Sequence, residues 1–353
     1  MYRALDLASR GLGHTRPNPP VGAVVVKDGR IVGEGWHRKA GKDHAEVAAI
    51  KNALKRLHSP TPSLLHSSTL YVTLEPCSKP GRVGACTDAI AAAGISKVVY
   101  AIPDPNPKNR GKARRALAKA GIACECWATD RAVMNKDTDD QELLRRQECV
   151  DCARKIVAPF AKHVATGLPY VTVKIAMSLD GKICDNWGEA RWISSRASRR
   201  KTDVMRAVVD AIMVGAETVR KDNPSLLCHR WRNDDLVRVV ITKSGNLPDD
   251  AQVFTDGAPN KTLVFDDAKR ALRELGRMGV MHVLCEGGLN LACSIADQGL
   301  VDEWRTVLAP IVVGSKPIGK AFRMKHCHCL CFPEPRGDDV IITYGINRPT
   351  PFS

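Results

Sequence analysis

The sequence predicts an α/β protein built from two domains, and three observations carry that prediction. Short apolar runs of strand length alternate with segments whose apolar residues recur at helical spacing, as strand–helix units require. The alternation comes in two series, separated by a polar, charged stretch over residues 127–150 in which Asp137 to Asp140 form an acidic block. A chain of 353 residues also corresponds to two domains at roughly 150 residues each. We therefore expect a first domain at 1–126, a connector at 127–165 and a second domain at 166–353. Aromatic residues are scarce, at 5%, so the cores should be aliphatic and rich in alanine.

In the first series, residues 2–10 read as a helix ended by Gly11 and Gly13. Pro17-Asn18-Pro19-Pro20 is a stiff loop, because proline restricts both itself and the residue before it. Residues 21–26 are a continuous apolar run, hence a buried strand. Asp28-Gly29 is a hairpin turn signal, and residues 31–36 are the partner strand. Asp43 can cap a helix beginning near His44. Residues 70–74 form a strand that delivers Pro76-Cys77, and Cys86 opens a helix through Ala93, stopped by Gly94. A strand at 98–102, the loop Asp104-Pro105-Asn106-Pro107, a helix at 112–119 and a strand at 122–126 close the domain.

Two short pieces of this series carry chemistry. His44-Ala45-Glu46 supplies an imidazole and a carboxylate, and Pro76-Cys77 with Cys86, after eight intervening residues, supplies two thiols. A catalytic zinc takes three protein ligands and leaves its fourth position to water or substrate. His44, Cys77 and Cys86 are the candidate ligands, and Glu46 can stay off the metal and carry protons. An H-x-E piece followed by P-C is the kit of zinc nucleobase deaminases. In that chemistry zinc acidifies water, the hydroxide attacks the amine-bearing ring carbon, and the glutamate moves the proton to the ring nitrogen and the leaving ammonia. Asn18 in its stiff loop is either a turn former or a side chain that reads a heterocycle edge as donor and acceptor at once.

In the second series, residues 170–177 are a central strand leading into Ser178-Leu179-Asp180-Gly181-Lys182. A helix over 198–209, a strand over 211–214 and Gly215-Ala216-Glu217-Thr218 follow. A later strand at 280–285 runs into Glu286-Gly287-Gly288 and a helix from about Asn290. Two glycines at a strand-to-helix turn let a phosphate approach backbone N–H groups. The lack of a G-x-G-x-x-G motif argues against a Rossmann domain. His326 to Cys331 alternates in polarity and reads as an edge strand. Cys149-Val150-Asp151-Cys152 is a C-x-x-C with no second such pair at zinc-ribbon spacing.

The stretches "RPNPPVGAVVVKDGRIVGEGWHRKAGKDHAEVAAI" and "YVTLEPCSKPGRVGACTDAI" resemble the deaminase half of the bifunctional riboflavin-biosynthesis deaminase/reductase family. The ordered set "VKIAMSLDGKI", "WISS", "MRAVVDAIMVGAETVRKDNPSL" and "CEGG" resembles its reductase half. The resemblance implies a cytidine-deaminase-like three-layer domain followed by a dihydrofolate-reductase-like domain, with Zn2+ and NADPH as cofactors. It implies hydrolytic deamination of 2,5-diamino-6-(5-phosphoribosylamino)pyrimidin-4(3H)-one, then reduction of the ribosyl to a ribityl chain. By matching, Asn18, Lys79, Arg82, Asp104 and Asn106 bind the deaminase substrate. Ala176, Trp192, Thr218, Asp222, Gly287 and Gly288 face the cofactor, and Arg206, Leu226, Arg230 and Glu286 face the reductase substrate, with Arg206 on the ribose phosphate. Dimerisation through the second domain is also implied. The chain departs from the family pattern at Lys79, where histidine is usual, at Val83-Gly84-Ala85 and at Ala190. It also has an apparent extra residue after Leu226, so that His229 or Arg230 takes the place of an arginine.

The net charge of +15 favours anionic partners. A phosphorylated substrate and a phosphorylated cofactor account for it. The basic residues are scattered, with no aromatic-interleaved stripe of the kind single-stranded nucleic acid needs, so no nucleic-acid partner is expected. The alternatives are a nucleic-acid deaminase with an appended binding domain, a deaminase with an inactive reductase half, and a zinc-stabilised scaffold without activity. No apolar run approaches the roughly 18 residues of a membrane span, so no membrane partner is expected. The N-terminal stretch does not read as a secretory signal. Thirteen cysteines, an odd count spread along the chain, fit thiols in a reducing cytoplasmic compartment better than a disulfide framework.

Overall fold

The computed structural model of the chain describes residues 1–58, 65–79, 84–130, 140–184, 193–228, 233–314 and 333–346, and the backbone of 327–329. Its contacts divide it into two compact units, Met1–Ala165 and a second beginning at Thr166.

In the first unit, the β-branched runs β1 (Gly22–Lys27) and β2 (Arg30–Trp36) form an antiparallel hairpin. Its two turn residues, Asp28 and Gly29, both take positive φ, 49° and 72°, as a tight hairpin of this kind requires. β3 (Thr69–Leu74) lies antiparallel to β1, and β4 (Lys97–Ile102) and β5 (Ala123–Cys126) follow in parallel. The strand order is β2-β1-β3-β4-β5. The helices are α1 (Tyr2–Ser9), α2 (Ala45–Arg56), α3 (Cys86–Ala92), α4 (Lys112–Lys119) and α5 (Asp140–Thr166).

Helix α2 carries the H-x-E segment, and alanine and glycine set its position. Its buried face is Ala45, Ala49, Ile50 and Ala53, and β2 offers Gly33 and Gly35 beneath it. A Cβ on Gly35 would stand 2.3 Å from Ala49 N and one on Gly33 2.4 Å from Ala49 O. Backbone therefore lies almost on backbone, and only glycine permits that approach. The stretch expected as a connector contains the 27-residue α5, which groups with the first unit up to Ala165. Its buried stripe is Cys149, Ala153, Val157, Phe160 and Ala161, at helical spacing.

Among the described residues, the second unit is built on a nine-stranded sheet. Its members are β6 (Tyr170–Ser178), β7 (Ala211–Gly215), β8 (Val237–Ile241), β9 (Thr262–Phe265), β10 (His282–Gly287), β11 (Glu303–Ala309), β12 (Cys327–Cys329), β13 (Glu334–Arg336) and β14 (Asp339–Ile346). The path runs β12-β14-β11-β6-β10-β7-β8-β9, with β13 paired to β14. It is parallel from β11 to β9 and antiparallel beyond. β12 is an edge strand, in keeping with the alternation read in the sequence there; His326 and residues 330–331 lie outside the described residues. The helices are α6 (Arg196–Ala207), α7 (Ala216–Asp222), α8 (Gln252–Thr255), α9 (Ala268–Arg277) and α10 (Leu289–Asp297). The core is aliphatic, around Val173, Met213, Val239, Leu272 and Leu275. Among the described residues no helix is long and apolar enough to cross a membrane.

Two expected details differ. Asp43 does not cap α2: the N-cap position belongs to His44, and the Asp43 carboxylate instead accepts from Lys51 Nζ at 2.8 Å. Helix α6 starts earlier than expected, because the Ser195 hydroxyl accepts from Ser198 N and caps it at Arg196.

Candidate functional site

In the first unit, two helix starts and one strand end converge. α2 begins just after His44, α3 begins at Cys86, and β3 ends just before Glu75-Pro76-Cys77. His44 Nδ1 lies 3.2 Å from Cys86 Sγ and 3.6 Å from Cys77 Sγ, and the three donor atoms lie within 4.8 Å of one another. Zinc bonds of ~2.0 Å to nitrogen and ~2.3 Å to sulfur give a tetrahedron with N–S edges of roughly 3.5 Å. The donor set therefore fits zinc in both element types and spacing. Among the described residues it is the one such group. The N–H of Cys86 donates to Cys77 Sγ at 3.3 Å, fixing that sulfur in place. The hydrogen bond shared with Cys86 pulls the Cys77 thiol down, and the same pairing pushes Cys86 up. A dication between them would take both as thiolates.

Glu46 sits in the first turn of α2 and is 4% exposed. Burial, and then the nearby Cys77, push its carboxyl up to about 7, which suits a group that takes and returns protons near neutrality. Asn18 is half-buried, and its Nδ2 lies 3.1 Å from Nε2 of the buried His37. The Asp104 and Asn106 side chains serve their own loop. Asp104 Oδ1 accepts from Asn106 N and its Oδ2 from Asn109 Nδ2, each at 2.8 Å, while Asn106 Oδ1 accepts from Lys108 N. Burial raises the Asp104 carboxyl. Lys79 is exposed, and Arg82 lies outside the described residues.

In the second unit, the carboxyl ends of the neighbouring parallel strands β6, β10 and β7 bring together Ala176, Glu286-Gly287-Gly288 and the start of α7 with Thr218, the edge where α/β sheets hold ligands. The register of β10 on β7 slips between Cys285 and Gly287, and Glu286 stands at that irregularity. It grips Arg206 with both oxygens: Nε to Oε1 at 2.6 Å and Nη2 to Oε2 at 2.9 Å. Burial pushes Glu286 upward, but Arg206 outweighs it and holds the carboxyl below its usual range. The expected phosphate grip of Arg206 would thus act through the remaining edge of a guanidinium already forked onto Glu286, whose Nη1 donates to Leu227 O at 3.1 Å. Leu226 is held at φ 58° with its side chain in the core, 2% exposed, so a ligand would meet its backbone. Gly288 has φ 72° and is the N-cap of α10, with no side chain capping that helix. A Cβ on Gly287 would stand 2.8 Å from Thr218 Oγ1. This bare, glycine-lined helix start fits a dinucleotide phosphate. Asp222 is exposed at the end of α7; Trp192 and Arg230, with Ala190 and His229, lie outside the described residues.

Three residues escaped the sequence reading. Lys174, in the middle of β6, is lowered from the usual lysine range by burial and adjoins Glu286 and Arg206; a lysine inside an apolar strand was the available signal. Glu75 Oε2 accepts from Asp104 N at 3.1 Å and Gly111 N at 3.0 Å, and its Oε1 accepts from Ala113 N at 3.1 Å, so it anchors the 104–113 loop at the start of α4. His37 had no local signal at all.

Fold and site define a class: a zinc-type deaminase unit followed by a reductase-type α/β unit in one chain. Two family models match in the same order, the "cytidine and deoxycytidylate deaminase zinc-binding region" over residues 1–102 and the "RibD C-terminal domain" over 169–325. The chain belongs to the family of the riboflavin biosynthesis protein RibD, bifunctional enzymes that join a zinc-dependent deaminase to a reductase. It is 37% identical over 345 residues to the Bacillus amyloliquefaciens protein of that name, covering 89% of this chain and 84% of the relative. It is 33% identical over 355 residues to that of Escherichia coli K12, covering 90% and 89%. The structure of a diaminohydroxyphosphoribosylaminopyrimidine deaminase/5-amino-6-(5-phosphoribosylamino)uracil reductase from Thermotoga maritima is similar with a TM-score of 0.81 at 30% identity, covering 98% of this chain and 97% of that one. Acinetobacter baumannii RibD gives 0.77 at 30% identity, covering 98% of each.

Proposed function

We propose that the first unit hydrolytically removes the 2-amino group of 2,5-diamino-6-(5-phosphoribosylamino)pyrimidin-4(3H)-one, and that the second reduces the ribosyl of the product to a ribityl chain, in the cytoplasm. The observation that carries this is the His44, Cys77 and Cys86 donor set beside the buried, near-neutral Glu46. Zinc held by those three residues supplies an acidified water as nucleophile. Glu46 would relay the two protons of that water in turn, the first to the ring nitrogen as the C–O bond forms and the second, from the resulting hydroxyl, to the amine that departs as ammonia. Asn18 holds the heterocycle, and Asp104, Asn106, Lys79 and Arg82 line the sugar-phosphate side, the first two by shaping the loop that Glu75 anchors.

In the second unit NADPH supplies the hydride. Gly287 and Gly288 let its phosphates reach the start of α10, with Ala176, Thr218, Asp222 and Trp192 along the cofactor. The Arg206–Glu286 fork, the backbone of Leu226, Arg230 and Lys174 face the substrate, with Lys174 coupled electrostatically to both members of the fork.

The test is an assay on the diaminopyrimidine ribosyl phosphate that reads ammonia release and NADPH oxidation separately. Both signals, with NADPH oxidation dependent on prior deamination, are expected. Ammonia without NADPH oxidation would reject the reductase assignment, and neither signal in a zinc-loaded sample would reject the substrate.

A further inference from the structure

A short chain of side chains leads from Asn18 to the metal-ligand histidine. Asn18 Nδ2 lies 3.1 Å from His37 Nε2. His37 Nδ1 lies 3.0 Å from the backbone oxygen of Asp43, and the His37 ring meets His44 edge to face at 5.2 Å. His37 is 3% exposed, and its backbone N–H donates to Val21 O at 2.9 Å. Both ring nitrogens of His37 are occupied, so it is not a fourth metal ligand.

Hydrogen-bond parity then fixes directions. A backbone carbonyl only accepts, so Nδ1 must carry the proton. In a neutral buried imidazole, Nε2 is then a lone pair, and only a donor can face it. Asn18 must therefore turn its NH2 toward His37, which sends Oδ1 the other way. Which way an amide points follows from its hydrogen-bond network, and here the network allows one choice.

We propose that His37 is a positioning residue that sets the direction of the Asn18 amide, so that Asn18 meets the pyrimidine with its carbonyl oxygen and selects a ring edge bearing an N–H or amino donor. This rests on the pyrimidine-deaminase reading of the first unit. It makes the Pro17-Asn18-Pro19 loop a donor-selective reader rather than an ambidextrous one, with its polarity set by a backbone carbonyl one residue before the metal-ligand histidine.

Two measurements test it on the full-length, zinc-loaded enzyme. Multiple-bond 15N–1H spectra of protein labelled on histidine nitrogen should show His37 protonated at Nδ1 and bare at Nε2; a proton on Nε2 would overturn the proposal. In kinetics, His37→Leu should raise KM for the diaminopyrimidine roughly tenfold, the weight of one oriented hydrogen bond, with kcat and zinc content changed by less than about twofold. Adding Asn18→Asp to that variant should recover most of the loss, since a carboxylate offers an acceptor from either oxygen. A merely structural histidine predicts no such rescue, so an unchanged KM, or a double variant no better than the single, also overturns the proposal. Should His37→Leu fail to fold, the tautomer decides alone. A wild-type enzyme that releases no ammonia would instead sink the deaminase reading, and the spectra would still report the amide direction.

Discussion

Glu46 shows how a single side chain takes its property from its surroundings. Its carboxyl rises from 4.5 to about 7 because charging it inside the unit loses solvation and brings it against Cys77. Its folded value lies above its unfolded one, so its contribution to stability is complete below about 4.5 and is lost as pH rises through about 7. In zinc-stripped protein, melting temperature should therefore fall between those pH values, by an equivalent of at most about 3 kcal/mol. Glu46→Gln should flatten that slope. The same variant should lower ammonia release at least a hundredfold, within the span of general acid–base effects, while metal analysis still finds zinc. Glu286 is the counterpart in the second unit. Its partner Arg206 has 17% of its side chain exposed, so Glu286→Ala leaves a largely buried guanidinium uncompensated. A loss of roughly 3 kcal/mol in urea unfolding of the second unit is expected, together with loss of NADPH oxidation.

At the scale of elements, both sites are built on ends. The proposed metal centre uses the start of α2, the start of α3 and the segment after β3, while the glycine turn proposed for the cofactor uses the end of β10 and the start of α10. The seat of α2 on β2 is the tightest of these placements. Gly35→Ala would put a methyl 2.3 Å from Ala49 N, so the helix must lift and carry His44 and Glu46 with it. Overpacking of this kind costs about 1–3 kcal/mol, and zinc titration should show weakened binding even where the variant stays folded. Many elements were legible beforehand, because hydrophobic period, turn residues and glycine stops are local. The helix over 112–119 and the hairpin at Asp28-Gly29 stand where their residues placed them. Helix α5 was not legible in the same way. Its first turns are dense in charge, and its apolar stripe gains meaning only once a surface is found beneath it. Asp43 is a second case: as a lone residue it is a good cap, but a lysine eight positions along took its carboxylate.

At the scale of the whole molecule, each unit has its own sheet and its own core. The two activities should separate accordingly. Chelation of zinc should abolish ammonia release and leave NADPH oxidation intact when the deaminated intermediate is supplied directly, and the reverse pattern would contradict the assignment of the units. By itself the sequence determined the α/β class, the two series of elements, the trio His44, Cys77 and Cys86 that the fold gathers together, and the glycine turn at 287–288. Each of these is written in residue type and spacing over a few tens of residues, where chain geometry leaves little choice. Tertiary structure alone decided that Arg206 is clasped by Glu286, that Glu75 holds the 104–113 loop, that Lys174 adjoins the fork, and that His37 stands between Asn18 and His44. Those pairings depend on strand order and on which side chains burial forces to find partners, and neither is stored in any local pattern.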